Sequence, residues 1–129
     1  MEHHCRCTSE AVHANARRIV FTGGPGAGKT AVLEVVRRTM CKHVHVLPEA
    51  ASIVFAGGFP RRSSVIGRKC AQRAIHHIQV ELETLALSES AALVLCDRGV
   101  LDGLAYWPGD EAEFWRSVGM TRADALARY

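Results

Sequence analysis

Apolar and polar positions fall in blocks along this chain, and the period changes from block to block. Residues 18–22 (Arg-Ile-Val-Phe-Thr) form a short β-rich run closed by glycines, which predicts a buried parallel strand. From Lys29 the period lengthens. Ala31, Val32, Val35, Val36 and Met40 share one face of a predicted helix running to about residue 41. Residues 43–47 alternate His-Val-His-Val-Leu and stop at Pro48, the pattern of a second strand. A short helical segment over 50–56 is predicted next, stopped by Gly57-Gly58 and followed by a basic stretch with Arg61, Arg62, Arg68 and Lys69. The longest predicted helix covers 65–87, where Ala71, Ile75, Ile78, Leu82 and Leu85 step by four and three. Residues 91–96 (Ala-Ala-Leu-Val-Leu-Cys) predict a third strand, apolar enough for burial on both faces. The chain then turns at Arg98-Gly99 and breaks at Tyr106-Trp107-Pro108-Gly109. Helices are expected over 110–118 and 122–128, with Thr121 and Asp124 resembling a capping box for the last.

Strands alternating with helices imply parallel βαβ units and a three-layer α/β fold. Residues 1–16 lack periodicity and are expected to be a flexible leader, with a single domain over 17–129. No internal repeat or further boundary interrupts it.

The strongest chemical signal lies between the first strand and the first helix, in Gly23-Gly24-Pro25-Gly26-Ala27-Gly28-Lys29-Thr30. Glycines at this spacing let backbone N–H groups turn inward around phosphate oxygens, and the helix N-terminus adds positive potential there. The motif predicts nucleoside triphosphate binding, with Lys29 reaching the β and γ phosphates and the Thr30 hydroxyl placed for Mg²⁺. Asp97 ends the third apolar run, so a parallel sheet would carry its carboxylate to the same edge as the loop, as a second magnesium ligand. The alternative for Asp97 is a cap on the next turn. Glu49 follows the second strand and reaches that edge too. It reads either as a base or water-mediated magnesium ligand, or as an acid favoured by a helix N-terminus. Arg98 suits a substrate phosphate or a carboxylate partner. The cluster Arg61, Arg62, Arg68 and Lys69 reads first as a solvated basic face and second as an anion clamp. Tyr106 and Trp107 are candidates for an acceptor wall or for core packing.

Composition narrows the classes. With 48% hydrophobic residues and a net charge of +3 from both signs, the chain gives no clear nucleic-acid signal. No apolar run approaches the ~20 residues of a membrane span, and the N-terminal residues hold no apolar h-region, so no secretory signal and a cytoplasmic location are expected. Five cysteines at scattered spacing argue against a disulfide framework. His3-His4-Cys5-Arg6-Cys7 lacks a second ligand pair at zinc spacing and reads as part of the leader. His43, His45, His76 and His77 read as packed or solvated.

Several segments together resemble a known family. They are residues 18–30, Pro-Glu-Ala-Ala at 48–51, Gly-Gly-Phe-Pro-Arg at 57–61, residues 96–109 and Leu-Ala-Arg-Tyr at 126–129. They are similar to AAA-type P-loop ATPase/kinase proteins related to the NadR kinase domain and the TRPL-translocation-defect proteins. The resemblance implies an ATP-binding domain folded like nucleoside and nucleotide kinases, using Mg²⁺ and a small-molecule acceptor. It implies that Glu49 serves as base and that Asp97 and Arg98 assist magnesium and phosphate. Such domains continue past the Arg-Tyr with a fourth strand, an arginine-bearing lid and a fifth strand, in sheet order 2-3-1-4-5. The expectation is therefore an incomplete sheet with an open edge at the first strand, self-association through that edge, and weak transfer. Two rival functions remain: a regulatory module that binds ATP or GTP without turnover, and an NTP hydrolase. No Asn/Thr-Lys-x-Asp guanine signature is present, which favours ATP.

Overall fold

A computed structural model of the protein describes residues 16–23 and 28–129. Three strands, β1 (Arg17–Phe21), β2 (Val44–Leu47) and β3 (Leu93–Asp97), pair in parallel in the order β1-β3-β2. The strand that is last in sequence inserts between the first two, as a sheet built from crossover connections allows and hairpins do not. Register sets Phe21 opposite Asp97 and Leu47 opposite Cys96. All three strands therefore end at one edge, and the segments after them emerge side by side. β1 pairs only with β3, so among the described strands its outer edge is open.

The helices are α1 (Lys29–Thr39), α2 (Ala50–Ala56), α3 (Val65–Ser88), α4 (Glu111–Val118) and α5 (Arg122–Ala127), with a 3₁₀ turn at Asp102–Tyr106. Val94 and Cys96 of β3 are fully buried against Leu82 and Ala86 of α3. Leu95, on the opposite face by strand alternation, is buried as well, and α1 packs on β2 and β3. A second cluster joins Val100, Trp107, Phe114, Trp115, Val118 and Ala125. Trp107 is thus a core residue, while Tyr106 is half exposed. None of the described helices is long and apolar enough to cross a membrane.

Three expectations are corrected. The third strand starts at Leu93 rather than Ala91, because Ala92 and Leu93 both donate to the His43 carbonyl and only then does the ladder begin. On α1 the face that packs is marked by Leu33, whereas Val32, Val35 and Met40 are at least half exposed. That helix leans chiefly on β2 and β3, and Val32, Val35 and Met40 point away from them. On α3 the predicted apolar stripe is buried only in part: Ala71 is buried and Ile75, Ile78 and Leu82 are half-buried. Leu85 is 56% exposed, while His76, Gln79 and Glu83 are buried with Ala71 and Ala86. Thr121 does cap α5, accepting from the Asp124 N–H, and Asp110 caps α4 in the same way through Glu113. The leader's metal reading falls on residues 1–15, outside the described ones. Cys70 and Cys96 are free thiols, and burial pushes Cys96 up to about 12.

Buried polar groups tie the layers together. The Glu83 carboxylate, fully buried, accepts from Gln79 Nε2 (2.8 Å), Arg18 (3.3 Å), Arg128 (3.0 Å) and the Tyr129 hydroxyl (2.7 Å). One acid of α3 is thereby bonded to β1 and to the segment after α5. Burial of an unpaired carboxylate would be prohibitive, and the four donors compensate it.

Candidate functional site

The site is assembled where the three strands end. Gly24, Pro25, Gly26 and Ala27 lie outside the described residues; Gly23, Gly28, Lys29 and Thr30 frame them. Gly28 has φ 81°, ψ 2°, a left-handed conformation that only a residue without Cβ adopts freely, and α1 begins immediately after it. Lys29 is therefore the first residue of the helix, directed back across the strand ends. Its Nζ is ion-paired with Asp97 Oδ1 and lies 3.6 Å from Glu49 Oε2. Arg98 Nε is also 3.6 Å from Glu49 Oε2. The structure thus brings together Lys29, Glu49, Asp97 and Arg98, residues up to 69 positions apart (98 less 29). Two cations and two anions balance at the ends of the strands.

Each acid had a structural alternative, and the geometry bears on both. Glu49 occupies the N-cap position of α2 but makes no side-chain capping bond; its carboxylate turns to Lys29 and Arg98 instead. Asp97 is not the cap of the following turn, because Asp102 takes that part. Asp102 accepts from the Gly99 N–H at 2.6 Å with one oxygen and from the Thr22 hydroxyl at 2.7 Å with the other. Asp102 was not singled out from sequence. Its only sequence signal is its position five residues after Asp97, before a 3₁₀ turn whose start no motif marks.

Arg98 sits at φ 70°, a conformation costing a non-glycine residue about 1–2 kcal/mol. Several bonds hold it there. Its N–H donates to the Phe21 carbonyl (2.9 Å), and its guanidinium donates to the Gly23 carbonyl (3.0 Å) and to the Tyr106 hydroxyl (3.3 Å). Burial works against its charge, but Tyr106, Glu49 and Asp102 outweigh that and raise its pKa. The arginine is a strut between the start of the phosphate loop and the acids. Gly99 follows at a close approach: a Cβ there would meet Val20 Cγ2 at 2.8 Å and the Tyr129 hydroxyl at 2.9 Å. That hydroxyl accepts from the Val100 N–H (2.9 Å) and donates to Glu83, so the buried acid supports the turn carrying Asp97 and Arg98.

Beside Glu49 and Arg98 opens a cavity of about 590 Å³, large enough for a small organic ligand. Phe55, Ala71 and Ile75 give it apolar walls, Tyr106 lies along it, and Arg61, Arg62 and Arg68 also line it. Lys69 does not share this role. It pairs with Glu113 and lies 5.5 Å from the Trp107 ring centroid.

His76 lines the same cavity, only 4% exposed and with Nδ1 lacking a partner. Burial first, then the neighbouring His77 and Arg128, lower its pKa to about 4, with Glu83 pulling weakly the other way. Unfolded histidine titrates near 6.5, so between about 6.5 and 4 only the unfolded chain takes the proton. This contribution to stability is intact above the unfolded value and falls as pH falls, by up to about 3 kcal/mol. Urea unfolding at pH 7.5, 6 and 5 should show the loss in the wild type and a smaller one in His76→Gln.

Among the described residues no group of three or more histidines, cysteines and acids is placed to hold a metal. Asp97 and Glu49 bring carboxylate oxygens to the site, and Thr30 adds a hydroxyl on the first turn of α1. Such hard oxygen donors suit Mg²⁺, which keeps waters and shares substrate phosphates, better than they suit a soft transition metal.

A family described as AAA domain matches this chain over residues 18–129. No curated protein and no solved structure matches it.

Proposed function

The chain belongs to this AAA-domain family and is a P-loop nucleotide-binding domain, and from that premise we propose that it is an ATP- and magnesium-dependent kinase of small molecules. One observation carries the proposal. Glu49 stands between the phosphate-loop lysine and a cavity of ligand size, with its carboxylate free of capping duty. A regulatory module that only binds nucleotide needs no such cavity beside its acid. The sequence resemblance to the NadR kinase domain and the TRPL-translocation-defect proteins agrees with this reading, as does the expected cytoplasmic location.

In this mechanism the loop amides and Lys29 hold the β and γ phosphates, and Thr30 and Asp97 would hold Mg²⁺ directly or through water. The metal, when bound, supplies positive charge to the phosphate oxygens. Lys29 exchanges its carboxylate partners for phosphate oxygens as nucleotide enters. An acceptor in the cavity presents its hydroxyl to Glu49, which takes the proton as the oxygen attacks the γ phosphorus in line. The bond from that phosphorus to the bridging oxygen breaks, and ADP leaves with the electron pair. Arg98, fixed by Gly23 and Tyr106, contributes positive charge at the same place.

The test is ADP formation from Mg-ATP with and without a panel of hydroxylated small molecules. ADP that appears only with an acceptor supports a kinase, and ADP released without one identifies a hydrolase. Binding without turnover identifies a regulatory module. Asp97→Asn keeps the side chain's shape but frees Lys29 from its anion. It is expected to cut magnesium-dependent binding or turnover at least tenfold while leaving metal-free ATP binding equal or tighter, measured by calorimetry with and without EDTA. An equal fall in both would return Asp97 to a purely structural role.

A further inference from the structure

The cavity is electrically lopsided. At the strand ends its lining acids are committed: Glu49 to Lys29 and Arg98, and Asp102 to Gly99 and Thr22. At the other end Arg61, Arg62 and Arg68 have no acid within ion-pair distance among the described residues. Arg61 stacks on the Phe55 ring at 3.9 Å, which fixes one guanidinium over the apolar wall. Arg62 donates to the Arg61 carbonyl, so the pair is locally ordered rather than splayed. Phe55 lies six residues beyond Glu49, about 9 Å along α2 at ~1.5 Å per residue. A molecule of one sugar ring with a charged substituent spans that distance.

The geometry points to an acceptor that already carries a phosphate: a phosphomonoester with its anion against Arg61, Arg62 and Arg68 and its hydroxyl towards Glu49. Guanidinium groups bind phosphate through paired, charge-assisted hydrogen bonds, and the cavity holds no competing acid at that end. The apolar walls at Ala71 and Ile75 accept the face of a ring. The hydroxyl end of this arrangement rests on the kinase reading; the anionic end does not.

Calorimetry on the whole chain separates the two. Ribose 5-phosphate is compared with ribose, and adenosine monophosphate with adenosine, in the wild type, in Arg61→Gln/Arg68→Gln and in Lys29→Ala. The expected result is that the phosphorylated member binds about tenfold tighter or more in the wild type and in Lys29→Ala. The preference disappears in the double arginine variant, whose thermal unfolding is unchanged because both side chains are exposed. A preference in both pairs identifies a general phosphomonoester site; a preference in the adenosine pair alone narrows the class to nucleotides. Equal binding within both pairs overturns the proposal. So does a preference that survives the arginine changes, or one that Lys29→Ala abolishes, which would put the phosphate in the loop after β1. If no acceptor is phosphorylated but the arginine-dependent preference stands, the kinase reading fails and this one holds.

Discussion

Lys29→Ala is expected to lower affinity for ATP by about two orders of magnitude while the domain stays folded. The size follows from the charges around Lys29. With the lysine present, Lys29 and Arg98 balance Glu49 and Asp97. Without it the same space carries a net negative charge and repels the triphosphate it should hold. A charge-assisted hydrogen bond is worth roughly 1.5–3 kcal/mol, and the uncovered acids add to the loss. Folding suffers less. Glu49 keeps Arg98, but Asp97 is only 15% exposed and its Oδ1 is buried with no other partner, so the cost should be about 2 kcal/mol. Calorimetric titration with ATP, beside urea unfolding of both proteins, measures the two numbers separately. Equal ATP affinity in wild type and variant would remove the phosphate-binding assignment.

The elements that set out the site were legible because buried parallel strands read as continuous apolar runs ended by special residues. Residues 18–22 and 91–96 gave β1 and β3 within two residues at either end, and Glu49 and Asp97 follow from where such strands stop. Parallel order then predicts that their carboxylates meet the lysine, and the ion pairs of Lys29 agree. α2 was read to its ends because Pro48 and Gly57-Gly58 bracket it. What escaped is the buried face of α3. Hydrophobic periodicity ranks Ile78, Leu82 and Leu85 above Glu83, and it cannot register that a carboxylate is fully buried when its partners lie 65 residues earlier and 45 and 46 residues later. Tertiary hydrogen bonding overrides the local pattern there. Asp102 escaped for the same reason, since its bond to Thr22 spans 80 residues.

That buried acid supplies the other large effect: Glu83→Gln should destabilise the domain by about 3 kcal/mol or more. The amide fills nearly the same volume, so packing is not the cause. It removes the anion from Arg18 and Arg128 and turns an N–H₂ toward donors where an oxygen had accepted. Removing one partner from a buried ion cluster leaves the remaining charges without compensation, and a domain holds only about 5–15 kcal/mol in all. Tyr129→Phe should cost less, about 1–3 kcal/mol, through the Val100 N–H that loses its acceptor. Because Tyr129 donates to Glu83, the double variant should lose less than the sum of the two. The consequence reaches the site. Val100 and Gly99 follow directly on Arg98, which is held at φ 70°, so slackening this support lets the turn relax. Tyr129→Phe, still folded at 20 °C, should therefore bind Mg-ATP several-fold more weakly than wild type although its hydroxyl touches neither Lys29 nor Asp97. Urea unfolding gives the stability term and calorimetry on the folded protein gives the binding term. Full stability in Glu83→Gln would mean the buried cluster is not ionised, and unchanged binding in Tyr129→Phe would mean the turn holds its shape without it.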